Sequence, residues 1–120
     1  MDFRDEHLDL TYYEGSSLLQ LRRPADARPF LIEALHVLTA DHVKARAIVL
    51  LLIASTYVQE HEIEEACRLA DEALSLPNPQ RIGPILQRAH DLRQQLEPWH
   101  TLPTVIALDQ RLHAMTTRST

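Results

Sequence analysis

No segment of this chain alternates apolar and polar residues in the manner of a strand, and its longest unbroken apolar run, Ala47 to Ala54, is far too short to cross a bilayer. The polar and helix-breaking residues instead divide it into six pieces. Pro24 opens one piece, and Thr39-Ala40-Asp41 separates it from the next. Pro77-Asn78-Pro79 and Gly83-Pro84 form the clearest break, and Pro98 and Pro103 bracket the last. These signals predict helices over 6–21, 25–38, 42–60, 62–76, 84–97 and 103–116, with 117–120 as a loose tail that has nothing apolar to bury. Residue choice agrees. Leucine and alanine number 33 against 12 for valine and isoleucine, and straight or small side chains lose less rotamer freedom in a helix than β-branched ones.

The helices carry a repeat. Leu50, Ile53, Ala54 and Tyr57 follow the spacing W-x2-L-G-x2-Y, and Ala66, Ala70 and Ala73 follow with A-x3-F-x2-A, with Pro77 closing the unit. Twelve positions separate Ala54 from Ala66, and the same twelve separate Gly15 from Ala27, with Leu18, Leu31 and Ala34 at the matching places. Small residues where two antiparallel helices cross let the backbones approach, and larger ones fill the space between pairs. The two small-residue markers stand 39 residues apart. Around residues 80–116, Ile85, Ala89 and Leu92 keep the first half of the pattern. Thr101, Val105 and Leu108 stand where alanines belong, which reads as a capping pair.

At these positions the chain resembles tetratricopeptide repeat proteins, over residues 8–79 and most closely in LLLIASTYVQEHEIEEACRLADEALSLP. The resemblance implies an all-α, right-handed stack of antiparallel helical hairpins: repeats at about 8–41 and 42–79, and a capping pair at about 80–116. Its 39-residue spacing exceeds the usual 34 of that repeat. The turn inside each hairpin, where the family usually has glycine, holds Arg22 and His61 here. A non-glycine residue in the left-handed conformation there costs about 1 kcal/mol, unless the turn differs. The phrases LLQLRRPADARPFLIEAL and LEPWHTLPTVIALDQRL are similar to the C-terminal sensory regions of actinobacterial helix-turn-helix transcriptional regulators. That similarity implies the interaction part of a cytoplasmic regulator.

Composition narrows the function classes. At 120 residues, 45% hydrophobic and 24% charged, the chain is one globular domain's worth. A net charge of −5 argues against this segment gripping nucleic acid by itself, and the acidic N-terminal stretch is unlike a signal peptide. One cysteine excludes an internal disulfide and fits a reducing cytoplasm. Two glycines cannot write a Gly-rich phosphate cradle.

Candidate chemistry is sparse. His61-Glu62-x-Glu64-Glu65 places His61 and Glu65 four apart, but a zincin needs a second histidine at position 65, and a solvated helix start with acidic residues explains the run. Asp109 and His113 are spaced for a local ion pair. Cys67 reads as a structural thiol, and Trp99 as an anchor for the last helix or, alternatively, a stacking platform. Ser16, Ser17, Ser55 and Thr56 lie in no nucleophile motif. We therefore expect no catalytic residues, no metal site and no cofactor.

What remains is a surface. In stacks of this kind the first helix of each pair lines the concave face. The stripe reads Tyr12, Ser16, Leu19 and Gln20, then Ile48, Leu51, Ser55, Val58 and Gln59, then Leu86, His90 and Arg93. Only Arg93 has the chemistry of the lysine, arginine and asparagine clamp that chaperone-binding family members close on a carboxylate. An apolar or amphipathic peptide or protein segment fits this stripe better. The segment AIVLLLIA is apolar all round, so Ile48, Leu51 and Val58 are expected to need a partner beyond the helices on either side. That predicts a homodimer or a bound helix or peptide, with a self-associating scaffold lacking any regulatory ligand as the alternative.

Overall fold

In a computed structural model, the described backbone covers residues 3–75 and 83–119, with side chains described over 9–75 and 83–117. It is built of α1 (Phe3–Gln20), α2 (Pro24–Val37), α3 (Val43–Gln59), α4 (Ile63–Leu74), α5 (Gly83–Gln95), a 3-10 turn (Glu97–Trp99) and α6 (Pro103–Ser119). The protein is an all-α stack of helical hairpins, and no described residue is in a strand. The predicted boundaries differ by at most three residues, and α6 continues to Ser119 through the stretch expected to be a loose tail. The break at Pro77-Asn78-Pro79 lies outside the described residues.

Each helix starts and stops for local reasons. Pro24 occupies the first turn of α2, where its missing N–H costs nothing, and Pro29 is accommodated one turn further on. Arg46 Nη1 donates to the Leu38 carbonyl at 3.1 Å, satisfying an acceptor left over at the end of α2. The hairpin turns after α1 and α3 share one backbone design. The Leu18 carbonyl accepts from Arg23 N–H at 2.9 Å and the Leu19 carbonyl accepts from Arg22 N–H at 3.0 Å. Thirty-nine residues on, Tyr57 accepts from Glu62 N–H at 2.8 Å and Val58 from His61 N–H at 3.0 Å. This is the Schellman pairing, which needs a left-handed residue after the helix; Arg22 has φ 58° and His61 has φ 63°. The expected strain at both non-glycine turn positions is therefore present. The α5–α6 connection is built differently, through the 3-10 turn, where His100 has an ordinary φ of −62°.

Helices pair as α1–α2, α3–α4 and α5–α6, and α3 also touches α1, α2 and α5. Principal extents of 43 × 32 × 17 Å describe a slab. Two layers of helices 8–10 Å apart fill a thickness of roughly 15 Å. The small residues act where the helices cross. A Cβ on Gly15 would come within 2.8 Å of Leu31 Cγ, and Ala54, Ala27 and Ala66 are fully buried. Leu31, Leu92, Leu96 and Val105 are the largest apolar side chains completely removed from water, so the core runs through all three pairs.

The all-apolar helix α3 is the centre of this core, and its burial overturns one expectation. Leu51 is 2% exposed and Val58 5%, Ser55 is buried, and Ile48 is partly buried. Four other helices contact α3, so Leu51 and Ser55 are covered by their own chain rather than by a second copy or a peptide, and Val58 keeps only a small exposed area. No described helix is long and apolar enough to cross a membrane.

Candidate functional site

An open groove of about 930 Å³ runs across the face formed by α1, α3 and α5. Its floor is α3, through Leu52, Val58 and Gln59. From α1 come Tyr12, Tyr13, Ser16, Ser17, Leu19 and Gln20, with Arg22 from the turn that follows. His61 enters from the α3–α4 turn, Arg88 and Gln95 from α5, and Pro98 and Trp99 from the 3-10 turn.

Two aromatic pairs shape the groove. Tyr12 and Tyr13 meet edge to face with centroids 5.7 Å apart, and the His61 ring lies 5.3 Å from that of Trp99. Trp99 is thus both an anchor packed on the core and a wall of the groove. Gln59 Nε2 donates to the Leu19 carbonyl at 3.0 Å, which ties the end of α3 to the end of α1 and fixes the groove's width there. The Oε1 of that amide and the hydroxyl of Ser16 are buried beside the groove with no hydrogen-bond partner among the described residues.

The structure brings six of the twelve anticipated residues to this groove: Tyr12, Ser16, Leu19, Gln20, Val58 and Gln59. The other six lie elsewhere, each for a packing reason. Leu51, Ser55 and Leu86 are buried in the core, and Ser55 Oγ donates back to the Leu51 carbonyl at 3.3 Å. Ile48 packs partly buried on α3, away from the groove lining. His90 is exposed with Nε2 3.5 Å from Thr116 Oγ1 on α6. Arg93 is held in a bidentate pair with Asp109 of α6, its Nη2 3.1 Å from Oδ2, and reaches Glu97 at 2.9 Å. The Asp109 hydrogen bonds dominate in raising the Arg93 pKa above its already high ordinary value. Asp109 therefore takes Arg93 across the last pair rather than His113 one turn along.

Residues that the stripe omitted matter more than those it misplaced. Arg22 and His61 could have been found from the sequence, because both occupy the glycine position of a hairpin turn. Arg88 gave no such signal. Among the described residues no aspartate or glutamate lines the groove, although the chain carries a net charge of −5.

Outside the groove the chemistry is sparse. Cys67 sits beside a smaller depression of about 290 Å³ between α4 and α6. Burial is the main cause that pushes its thiol pKa up, opposed by a weaker pull from the Thr104 hydroxyl, so the nucleophilic thiolate is disfavoured. Glu65 is engaged by Arg68, whose Nε lies 3.0 Å from Oε2 and holds the carboxyl below its ordinary range. Among the described residues no three His, Cys, Asp or Glu side chains converge as a metal site would require. Comparison of the chain with protein-family models, with curated proteins and with solved structures gives no match.

Proposed function

We propose that this protein is a non-enzymatic binding module that holds a peptide or protein segment in the groove across α1, α3 and α5. The observation that carries this reading is the groove itself. It is a concave surface of about 930 Å³ built by the first helix of each pair and furnished with tyrosine, tryptophan and arginine, the side chains that dominate binding hot spots. The resemblance of LLQLRRPADARPFLIEAL and LEPWHTLPTVIALDQRL to regulator sensory regions supports placing the module in a cytoplasmic transcriptional regulator, where segment binding would be the sensed event.

Trp99 is the chain's sole tryptophan and stands in the groove wall, so its emission reports occupancy directly. Peptides selected from a randomised display library against the full chain should shift Trp99 emission on titration. Ser17→Phe, which adds a ring to the groove from an exposed position, should abolish both binding and shift. Selected peptides that bind this variant unchanged would place binding elsewhere and end the reading.

A second reading, self-association, rests on a surface of α1 that meets the groove at Tyr13. Leu10 and Tyr13 of α1 and Leu21 of the turn after it are 71%, 66% and 67% exposed, large apolar side chains that a second copy would remove from water. Light scattering after size exclusion should then give twice 13.8 kDa, and Leu10→Glu should return it to 13.8 kDa.

A further inference from the structure

Arginines elsewhere in this protein are consumed by its own architecture. Arg23 pairs with Asp26, Arg28 with Glu60, Arg68 with Glu65 and Glu72, Arg93 with Asp109 and Glu97, and Arg111 with Asp71. Arg46 donates to backbone carbonyls. Among the arginines whose side chains are described, only Arg22 and Arg88 have no ion-pair or hydrogen-bond partner among the described residues, and both line the groove. One comes from the turn after α1 and the other from α5, on the two sides of the α3 floor.

A second, independent observation concerns the backbone. The chain's two described non-glycine residues with positive φ, Arg22 and His61, both belong to the groove lining. Glycine would relieve each turn. Strain of this kind persists where the side chain is needed, and here each strained position delivers a cationic or titratable side chain to the same concave surface. His61 meets Trp99 there with the two rings tilted by 55°, and both side chains line the groove.

Resting on the reading of the groove as a peptide-binding face, we infer that its occupant is an acidic peptide segment, with Arg22 and Arg88 receiving its carboxylates and the His61–Trp99 pair its apolar side chains. Guanidinium groups offer fork-shaped donors that match carboxylates in geometry. Among the described residues no acidic side chain lines the groove, so none of them competes for these guanidinium groups. The rest of the surface, net negative, disfavours an acidic partner everywhere else, so the local positive field also sets where such a partner docks. Leu52 and Val58 give the floor an apolar strip, which suits a segment that interleaves glutamate or aspartate with leucine or an aromatic residue.

The test uses the full chain, Trp99 emission and capped octapeptides in three series, in which glutamate, lysine or glutamine is interleaved with leucine and phenylalanine. An oligothymidylate serves as the nucleic-acid arm. The glutamate series should bind at least about ten-fold more tightly than the lysine and glutamine series, and this advantage should shrink between about 0.02 and 0.3 M salt. Arg88→Glu should reverse the preference toward lysine. Arg22→Gly should weaken glutamate-peptide binding while raising the melting temperature, a pairing that a merely structural role would not produce. A lowered melting temperature in Arg22→Gly would overturn its assignment. Peptides that bind with no dependence on charge would overturn the inference and leave the groove reading standing. Silence from all three series would remove both. Tighter binding of the oligothymidylate than of the glutamate series would overturn the acidic-peptide assignment in favour of nucleic acid.

Discussion

The first two hairpins and the last one solve the same problem, joining antiparallel helices, by different means. After α1 and α3 the chain turns in a few residues through a left-handed position, and the hairpins cross on Gly15 and Ala54. Between α5 and α6 it turns through the 3-10 segment, and the pair is held by buried Leu96 and Val105 and by the Arg93–Asp109 ion pair. Tight turns bring Arg22 and His61 to the groove, whereas the looser turn brings Trp99 to it. The lesson is that a repeat can diverge in its closing segment and still contribute to the shared surface, provided the segment is anchored in the core.

The largest expected effect tests that anchoring. Leu96 has no exposure, and Leu96→Ala should cost about 2–5 kcal/mol in denaturant unfolding. A loss well under that range would show the last pair to be peripheral to the cooperative unit. Next come the crossings that only the first two hairpins share. Gly15→Leu and Ala54→Leu should each overpack a helix contact and lower stability by about 1–3 kcal/mol. If both melt like the parent chain, the equivalence of the two crossings is wrong.

The turns themselves give a smaller effect of opposite sign. Arg22→Gly and His61→Gly should each raise stability by about 0.5–1 kcal/mol, because glycine takes positive φ without a Cβ clash. His100→Gly, at an ordinary φ in the third turn, should give no gain. A glycine gain at all three positions, or at none, would erase the distinction between the turns.

The smallest effect is electrostatic. The Arg68 hydrogen bond holds the Glu65 carboxyl pKa below its unfolded value, so its contribution is present above the ordinary carboxylate range and is lost as pH falls through the lowered folded pKa. The melting-temperature difference between the parent chain and Glu65→Gln should therefore fade on acidification. Both side chains are substantially exposed, which keeps that difference small at neutral pH.

Much of this was legible in the residues. The breakers at Pro24 and Pro103, the leucine and alanine balance and the 39-residue recurrence of small residues fixed six helices and their pairing, because helix propensity and close crossing are local demands that a sequence states directly. The unusual Arg22 and His61 were visible as departures from glycine. The exposed side of α3 was not legible. A helix apolar all round carries no mark of which face stays open, and only the packing of α1, α2, α4 and α5 around it decided that Leu51 and Ser55 are buried while Leu52 borders the groove. The same holds for charge. Whether an arginine is spent inside the molecule depends on which carboxylate the fold places beside it, so Arg93 went to Asp109 while Arg22 and Arg88 kept their donors for the groove, a division set by tertiary neighbours rather than by spacing along the chain.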